Sequence, residues 1–376
     1  MTAEFVLIGI DGGASAVKAH DVVVTGSGAD ASFRLGEHAV AKKHRPIIGF
    51  EPSDMQEQLA EYYSGNIQRS GLEVVQAQCY VEAVVAAVSD IAEAAQAQEV
   101  LLGVGFPGLK TAHGRGIAAA NNMARAPELL DDIQVALRKA GVKLHRSITR
   151  LTSNADNCGV GEEYAAEGQF RGVQDAYHAG CGTGIADALK LGGQLVPFDD
   201  VGEWIKKAWQ MRSSFGESYE QIASAAALIR RYAEAVHLTP EEVKACGRFP
   251  ELAAVHGDEI AVHLLTKAAA ALAELIADRI ATVHRHRDAT LLERIIIGQR
   301  LGELYGKPRY RAVFRDKLDH DLADEIRKLD VEQLNDAYLT PDGKLSESIV
   351  VASKLRDASA LGAAINAYRA YAAPGD

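Results

Sequence analysis

A glycine-rich stretch near the start of the chain combines residue types that bind phosphate and metal. In "GIDGGASAVK" an apolar run ends at Asp11, Gly12 and Gly13 follow, and Ser15 and Lys18 stand close behind. Glycine lets backbone N–H groups approach an anion closely, and a nearby carboxylate can hold a divalent cation. The same pattern is ordinary for a tight β-hairpin. Taken alone, the stretch predicts either a plain hairpin or a site for a phosphate and a metal.

A second glycine turn repeats this design in the middle of the chain. "HAGCGTGIAD" places Gly182, Thr183 and Gly184 between two strand-like runs. Phosphoryl transfer from ATP needs turns whose N–H groups hold the phosphates, a carboxylate near magnesium and a base near the acceptor hydroxyl. The chain has neither the Gly-x4-Gly-Lys-Ser/Thr motif nor Gly-x-Gly-x-x-Gly between a strand and a helix, so P-loop and Rossmann sites lack their fingerprints.

Composition narrows the class of protein. The chain has 376 residues, is 48% hydrophobic and carries a net charge of −11. This length suits two domains, and the acidic balance without a Lys/Arg run argues against nucleic acid or an anionic membrane as the main partner. The four cysteines are scattered, so they indicate neither a disulfide framework nor a Cys-x-x-Cys zinc site; they are Cys79, Cys158, Cys181 and Cys246. We expect a cytoplasmic protein with reduced thiols.

Targeting and membrane segments are not expected. The N-terminus has only the short apolar run 5–10, with no basic region and no cleavage signal. No later window is judged long and apolar enough to span a bilayer. The sequence therefore predicts a chain that is neither exported nor embedded.

The elements that must position the two turns alternate between strands and helices. Short apolar runs with glycine turns fill the first 34 residues, and steps of three and four indicate a long helix over 73–97. "EVLLGVGFPG" reads as a buried strand that ends in a turn, the position where ligands collect in open α/β sheets. From about Glu203 the chain is mostly helical, with a long helix near 258–286. The fold class is α/β, and the two glycine-turn hairpins indicate a duplication of fold rather than of sequence.

Read in order, the motifs resemble those of a known family. "GIDGGASAVK", "GVGFPGL", "NNM", "SNADNCGVGEE", "GCGTGIADAL", "GEW", "IIIGQRLGELY" and "ASALGAAINAY" are similar to the successive motifs of the ROK family of sugar kinases, within the superfamily of actin, hexokinase and the heat-shock chaperone ATPases. The resemblance runs over nearly the whole chain. It implies the two-lobed actin-like ATPase (ribonuclease H-like) fold with an interdomain cleft, a small lobe at 1–123 plus 354–376, and a large lobe at 124–353.

The resemblance also assigns the nucleotide side of the site. It implies ATP and magnesium as ligands, with Asp11 on the magnesium side, directly or through water. Ser15 stands where the family usually has threonine. The phosphate-binding residues that it implies are Asp11, Gly12, Gly13, Ser15, Lys18, Gly182, Thr183 and Gly184, with Gly298 as the glycine of the nucleotide lobe.

The catalytic base is displaced relative to the family pattern. The family has Asn-Asp-Ala-Asn before a Gly-Glu pair, and anchoring on Gly161 and Glu162 puts its Asn-Asp on Ser153 and Asn154. Asp156 then stands where the second Asn is usual. Because geometry decides a general base, we predict that Asp156 takes the proton from the acceptor hydroxyl, with Asn154 beside it. The alternative is that Asp156 only caps the following helix.

The sugar side departs further from the family. By the resemblance, sugar contacts fall on Pro107, Gly108, Asn122, Glu203, Lys206 and Glu220. Lys206 replaces a histidine, so it can only donate hydrogen bonds, and acceptor specificity should differ from glucose. The Cys-rich zinc motif is missing, which predicts magnesium and no zinc. A hexose, an amino-sugar, an acidic sugar and a cyclitol all stay open as substrates.

Two rival functions remain. The displaced Asp and the lost His are also typical of a non-catalytic sugar-sensing pseudokinase, and a related ATPase of the N-acetylglucosamine kinase type shares the Asp-Gly-Gly turn. The first phosphate motif begins close to Met1, so we do not expect a DNA-binding repressor. The resemblance further implies a homodimer that takes a small sugar or cyclitol, with neither nucleic acid nor membrane as partner.

Overall fold

The computed structural model describes residues 5–28, 31–45 and 47–373. Their contacts form two compact units, the first comprising Met1–Glu167 and Asp357–Asp376 and the second Gly168–Arg356. The sequence had placed the first boundary at 123/124. The larger difference lies in 124–167, because the helices of this segment pack on other elements of the first unit, and the smaller one in 354–356, which belong to the second unit.

Twelve strands and thirteen helices are named here in chain order. The strands are β1 (Val6–Gly12), β2 (Ala16–Thr25), β3 (Ser32–Lys43), β4 (Val100–Gly105), β5 (Leu109–Lys110), β6 (Ile117–Ala119), β7 (Leu151–Thr152), β8 (Ala176–Cys181), β9 (Ile185–Leu191), β10 (Gln194–Val196), β11 (Arg294–Gly298) and β12 (Val350–Ala352). The helices are α1 (Met55–Ser64), α2 (Gly71–Ala94), α3 (Leu129–Lys139), α4 (Asn154–Tyr164), α5 (Tyr219–Ala223), α6 (Ala225–Ala235), α7 (Pro240–Ala245), α8 (Pro250–Val255), α9 (Glu259–His286), α10 (Gln299–Gly306), α11 (Asp316–Lys328), α12 (Glu332–Tyr338) and α13 (Ala358–Ala372).

The two units contain five-stranded sheets of the same design. The first sheet has the order β3-β2-β1-β4-β7 and the second β10-β9-β8-β11-β12. In each, the central strand pairs antiparallel with the strand that follows it and parallel with a later strand, as β1 does with β2 and β4, and β8 with β9 and β11. The duplication of fold expected from the two glycine turns is therefore present in the strand order.

Small residues let the last long helix lie directly on the first sheet. A methyl group at Gly9 of β1 would stand 1.9 Å from the Ala360 oxygen of α13, and one at Gly103 of β4 would stand 1.9 Å from the Ala363 oxygen. A side chain at either position would push the helix away. Because β1 carries Asp11 at its end, this close packing also brings the start of α13 to the first glycine turn.

Two helices correct the expectation about membrane segments. By length and composition α2 and α9 are both apolar enough to cross a bilayer, so the statement that no such window exists was wrong. Just over half of each apolar window is buried inside the protein. Leu265, Leu272 and Ile276 of α9 are buried in the apolar core of the second unit, which explains the composition of this helix.

Candidate functional site

Hydrogen bonds from His44 stabilise the turn between β1 and β2. Gly13 N–H donates to the Ala16 carbonyl at 3.0 Å. His44 Nε2 donates to the Gly13 carbonyl at 2.7 Å, and the His44 N–H donates to the Ser15 carbonyl at 3.0 Å. Burial lowers the pKa of His44, which keeps the ring neutral. Within the described ranges, the N–H groups of Ala14 and Ser15 have no partner, so they are the donors that this turn offers.

Asp11 stands at the mouth of this turn with one hydrogen-bonded oxygen. Its Oδ1 accepts from Ser359 Oγ of α13 at 2.9 Å. Burial raises the pKa of Asp11, and the hydrogen bond from Ser359 and the charge of Lys18 oppose that rise. A bound cation would favour the ionised form in the same way. Ser359 carries no signal in sequence, because it lies 348 residues away from Asp11.

Lys18 of β2 forms an ion pair with Asp357, the first residue of the C-terminal segment that belongs to the first unit. Its Nζ lies 3.2 Å from Asp357 Oδ1, and His20 Nε2 lies 3.4 Å from Asp357 Oδ2. The hydrogen bond from His20, followed by the charge of Lys18, lowers the pKa of Asp357 to about 2. The Lys18 side chain is 54% exposed, so solvent reaches this ion pair.

The start of α4 brings Asn154 to the first turn. Ser153 is the N-cap of this helix, and Asn154 Nδ2 donates to the Gly12 carbonyl at 2.7 Å. Asp156 lies in the first turn of α4, about 200° around the helix axis from Asn154 at 100° per residue. The N-cap position is therefore not held by Asp156. A carboxylate in the first turn is favourable because it faces the positive end of the helix dipole.

Close helix packing fixes α4 in this position. A methyl group at Gly362 of α13 would lie 1.9 Å from the Asn157 carbonyl of α4, and one at Gly161 would lie 2.8 Å from the Ala358 carbonyl. A methyl at Gly105, the last residue of β4, would lie 2.9 Å from Asn154 Oδ1. Glycine at these positions lets the N-terminus of α4 meet the ends of β1 and β4.

The Pro-Gly segment after β4 also reaches the first turn. Phe106 is fully buried, and a methyl group at Gly12 would lie 2.3 Å from its ring. Pro107 and Gly108 follow, and Gly108 has a φ of +92°, which only glycine adopts readily. Asn122, beyond β6, is exposed.

The turn between β8 and β9 uses its glycines differently from the expectation. Gly182 N–H donates to the Gly184 carbonyl at 2.9 Å, and the Gly182 carbonyl accepts from Ala226 N–H at 3.1 Å. The N–H and carbonyl groups of Gly182 are therefore both hydrogen-bonded within the protein, as the N–H group of Gly13 is in the first turn. In the part of the chain that the structure covers, the N–H groups of Thr183 and Gly184 have no partner. They are the donors of the second turn.

Glu220 supports the second turn. It lies in the first turn of α5, and its Oε2 accepts from Ile185 N–H at 3.0 Å. A methyl group at Gly184 would stand 2.3 Å from the same oxygen, so a larger residue there would displace the Glu220 carboxylate. Burial raises the pKa of Glu220. Glu203 and Lys206 are exposed, and Lys206 Nζ donates to the Gly202 carbonyl.

Gly298 ends β11 beside the second turn. It pairs with Gly180 of β8, and a methyl group there would lie 2.3 Å from His178 Nε2. Burial lowers the pKa of His178 to about 4, which leaves the ring neutral at physiological pH. The absence of a side chain at Gly298 therefore makes room for a buried imidazole.

A buried ion pair that sequence reasoning missed lies behind the second turn. Asp187 Oδ1 accepts from Tyr177 Oη at 2.7 Å and from an Arg279 guanidinium nitrogen at 3.0 Å. Asp187 Oδ2 accepts from Ala208 N–H at 2.8 Å. These bonds tie β8, β9 and α9 to the segment that carries Lys206. The sequence signal that could have indicated this ion pair is Asp187, a charged residue within the otherwise apolar-rich strand β9.

No cluster of three or more His, Cys, Asp or Glu side chains arranged to hold an ion occurs among the described residues. The Asp11 carboxylate by itself suits a magnesium ion that keeps most of its water ligands.

Solved structures share this fold. A ROK family glucokinase from Streptomyces griseus in complex with glucose and AMPPNP matches with a TM-score of 0.57 and 18% identity, over 97% of this chain and 99% of that one. The ROK hexokinase of Thermus thermophilus matches with a TM-score of 0.54 and 16% identity, over 97% and 99%. A ROK family transcriptional regulator, a homologue of the E. coli MLC protein, matches with 0.55 and 14%, over 98% of this chain and 79% of that one.

These likenesses establish the fold. The two-lobed actin-like ATPase fold of the ROK sugar kinases, predicted from the order of the motifs, is confirmed. No protein-family model matches the chain. A search of curated proteins likewise finds no match.

Proposed function

We propose that this chain is a divergent ROK-type kinase that transfers a phosphoryl group from ATP to a hydroxyl of a sugar or sugar-like polyol. One observation carries the proposal: each unit closes its central hairpin with a turn that leaves two consecutive N–H groups without a partner among the described residues. These groups belong to Ala14 and Ser15 in the first unit and to Thr183 and Gly184 in the second. The fold is shared with a glucokinase whose structure contains glucose and AMPPNP.

The residues present fit ATP and magnesium. The paired N–H groups and the Lys18 ammonium provide donors for phosphate oxygens, and Asp11 provides a carboxylate for a hydrated magnesium ion. When bound, magnesium ATP supplies the phosphoryl group and neutralises the charge that develops on transfer. The chain's own part is to hold the phosphates, to orient the acceptor hydroxyl and to remove its proton.

Asp156 is our proposed base. It is the carboxylate nearest in sequence to Asn154, which contacts the first turn. An amide is not basic enough to take a proton at neutral pH, so Asn154 would orient and Asp156 would accept. This role requires the acceptor hydroxyl to lie on the Asp156 side of the α4 N-terminus.

The acceptor is proposed to be a hexose, an amino-sugar, an acidic sugar or a cyclitol. Contacts are assigned by the resemblance to Pro107, Gly108, Asn122, Glu203, Lys206 and Glu220. The additional cation of Lys206 favours an acidic acceptor. That the protein is a cytoplasmic homodimer which binds neither nucleic acid nor membranes is part of the proposal, and light scattering of the purified protein tests the dimer.

A second candidate is a sugar-binding protein without transferase activity. The amide of Asn154 at the first turn favours this candidate, because Asn154 donates to the Gly12 carbonyl and an amide cannot serve as a base. The shared fold of a ROK transcriptional regulator shows that the fold also serves proteins named for regulation.

The decisive experiment measures ADP release with magnesium ATP and a panel of hexoses, amino-sugars, acidic sugars and cyclitols. We expect one acceptor to stimulate turnover, and Asp156→Asn to lower kcat by 10²- to 10⁴-fold, the usual contribution of a general base. Glu167→Gln, an exposed carboxylate beyond α4, is the matched control and should retain wild-type activity.

Three outcomes would contradict parts of the proposal. Equal turnover by Asp156→Asn would remove Asp156 as the base. Turnover restored in the double variant Asn154→Asp, Asp156→Asn would place the base at position 154. If no acceptor stimulates turnover while one raises the Tm, the binding protein without transferase activity is favoured.

A further inference from the structure

We propose that the Gln299 side chain binds the phosphate tail of the nucleotide at the second turn, as an additional specificity residue. This inference rests on the proposed function. Three observations support it: the left-handed backbone of Gln299, the position of its carboxamide beside Gly182, and the absence of a hydrogen bond to that carboxamide within the described residues.

Gln299 has a left-handed backbone conformation at an unusual place. Its φ is +57°, a region that non-glycine residues avoid. Five other described non-glycine residues have positive φ, and each directly follows the last turn of a helix, where this conformation is common; they are Gln96, His237, Asp288, Ala289 and Asp330. Gln299 instead begins α10 directly after β11. Strain of this kind tends to persist at functional sites.

The side chain of Gln299 lies on the floor of the second turn. A methyl group at Gly182 would stand 1.6 Å from Gln299 Oε1, and one at Gly180 would stand 3.2 Å from Gln299 Nε2. The carboxamide thus fills the space that Gly182 leaves open, next to Thr183 and Gly184. Gln299 directly follows Gly298, and with its left-handed backbone its side chain lies at the second turn.

The carboxamide is available to a ligand. No hydrogen bond of the Gln299 side chain is found within the described residues, and the residue is only partly buried. Its amide carries two donors, and the turn beside it presents the N–H groups of Thr183 and Gly184. The neighbouring Arg300 is occupied by Glu251 and Glu303. One carboxamide and two backbone N–H groups therefore lie at the same turn, and neutral donors of this kind can bind phosphate oxygens.

The test compares variants by calorimetric titration with magnesium ATP, with magnesium tripolyphosphate and with adenosine. Gln299→Gly removes the carboxamide and suits the left-handed backbone, so it should raise the Tm while weakening both phosphate probes about tenfold. Gln299→Glu keeps the shape but cannot donate when ionised, so it should weaken them further. Adenosine binding should change less than twofold in both variants.

Asp330→Gly is the matched control, because Asp330 has a φ of +53° at the exposed end of α11. It should raise the Tm as Gln299→Gly does and leave all three affinities unchanged. Unchanged affinity for tripolyphosphate in Gln299→Gly and Gln299→Glu, with wild-type binding intact, would overturn the role of Gln299 alone. Weakened binding of adenosine instead of tripolyphosphate would also overturn it. Failure of the wild type to bind any phosphate probe would instead overturn the proposed nucleotide site itself.

Discussion

The turn after β1 and the turn after β8 share a backbone plan and differ in how they use charge. Each joins the central strand of a five-stranded sheet to its antiparallel neighbour, and each leaves two N–H groups without a partner among the described residues. The third residue of the returning strand is Lys18 in the first unit and Asp187 in the second. Lys18 is 54% exposed, whereas Asp187 is 2% exposed and pairs with an Arg279 that is fully buried.

The two turns therefore present different groups on the same backbone plan. The first turn presents Asp11 and Lys18 where a ligand can compete for them, and the charges there are balanced by residues at the start of α13. The second turn keeps its Asp187–Arg279 pair buried and presents the neutral N–H groups of Thr183 and Gly184. A buried pair contributes mainly by orienting what it joins, because desolvation offsets most of its attraction. Four predictions test this comparison, from the largest expected effect to the smallest.

Asp187→Ala should destabilise the protein most. It leaves the Arg279 guanidinium buried without its main partner and removes the acceptor of Tyr177 and of Ala208 N–H. We expect the free energy of unfolding to fall by about 3–5 kcal/mol, measured by urea denaturation at pH 7. A loss below about 1 kcal/mol would show that the second unit does not depend on its internal charges.

Gly12→Ala should be the next most costly change. A methyl group there would stand 2.3 Å from the rigid Phe106 ring, so we expect a loss of about 3 kcal/mol in the free energy of unfolding. Gly182→Ala meets the end of the flexible Gln299 side chain, which can move aside, and should cost less. Gly13→Ala is the control, because its nearest contact is an ordinary 3.5 Å. Equal losses for Gly12→Ala and Gly182→Ala would contradict this distinction between the turns.

Asp357→Asn should remove a stabilisation that depends on pH. The pKa of Asp357 is lowered to about 2 in the folded protein, from 3.8, so its ionised form stabilises the fold above pH 3.8 and this contribution is lost as the pH falls toward 2. The shift corresponds to about 2 kcal/mol at pH 7. We expect the difference in unfolding free energy between wild type and variant to be largest at pH 5–7 and to shrink below pH 4. A difference that is constant with pH would show that Asp357 acts through packing and not through charge.

Lys18→Met should have the smallest effect on stability and a clear effect on binding. An exposed ion pair contributes at most about 1 kcal/mol, so urea denaturation should detect little change. Affinity for magnesium ATP should fall about tenfold, and less at high salt, because a charged donor to phosphate is lost. Unchanged affinity at low salt would show that Asp357, and not a ligand, is the partner of Lys18.

Local pattern was enough to identify both turns. Apolar runs around Asp11 and around Gly182, with glycines between them, predict hairpins because only such residues allow tight turns at the ends of buried strands. The motif order then predicted the confirmed fold. It did not predict that the N–H groups of Gly13 and Gly182 donate to carbonyl groups within their own turns. These hydrogen bonds depend on the φ and ψ angles of the turn, which the residue types do not determine.

The base is the clearest case in which spacing was not enough. Counting back from Glu162 located the start of α4, and a carboxylate in that segment was expected to face the acceptor. A helix turns by about 100° per residue, so residues two apart point to nearly opposite sides. The hydrogen bond from Asn154 to Gly12 then decides which side faces the first turn. Whether Asp156 meets a hydroxyl is the prediction left to kinetics.

The sequence by itself determined the class of fold, the two glycine turns and the resemblance to ROK sugar kinases, because these depend on residue order and local conformation. Only the tertiary structure decided that His44 holds the first turn, that Ser359 meets Asp11, and that Gln299 covers Gly182. Each of these contacts joins residues far apart in the chain. Their meeting follows from strand order and helix packing, to which the spacing of residues along the chain gives no guide.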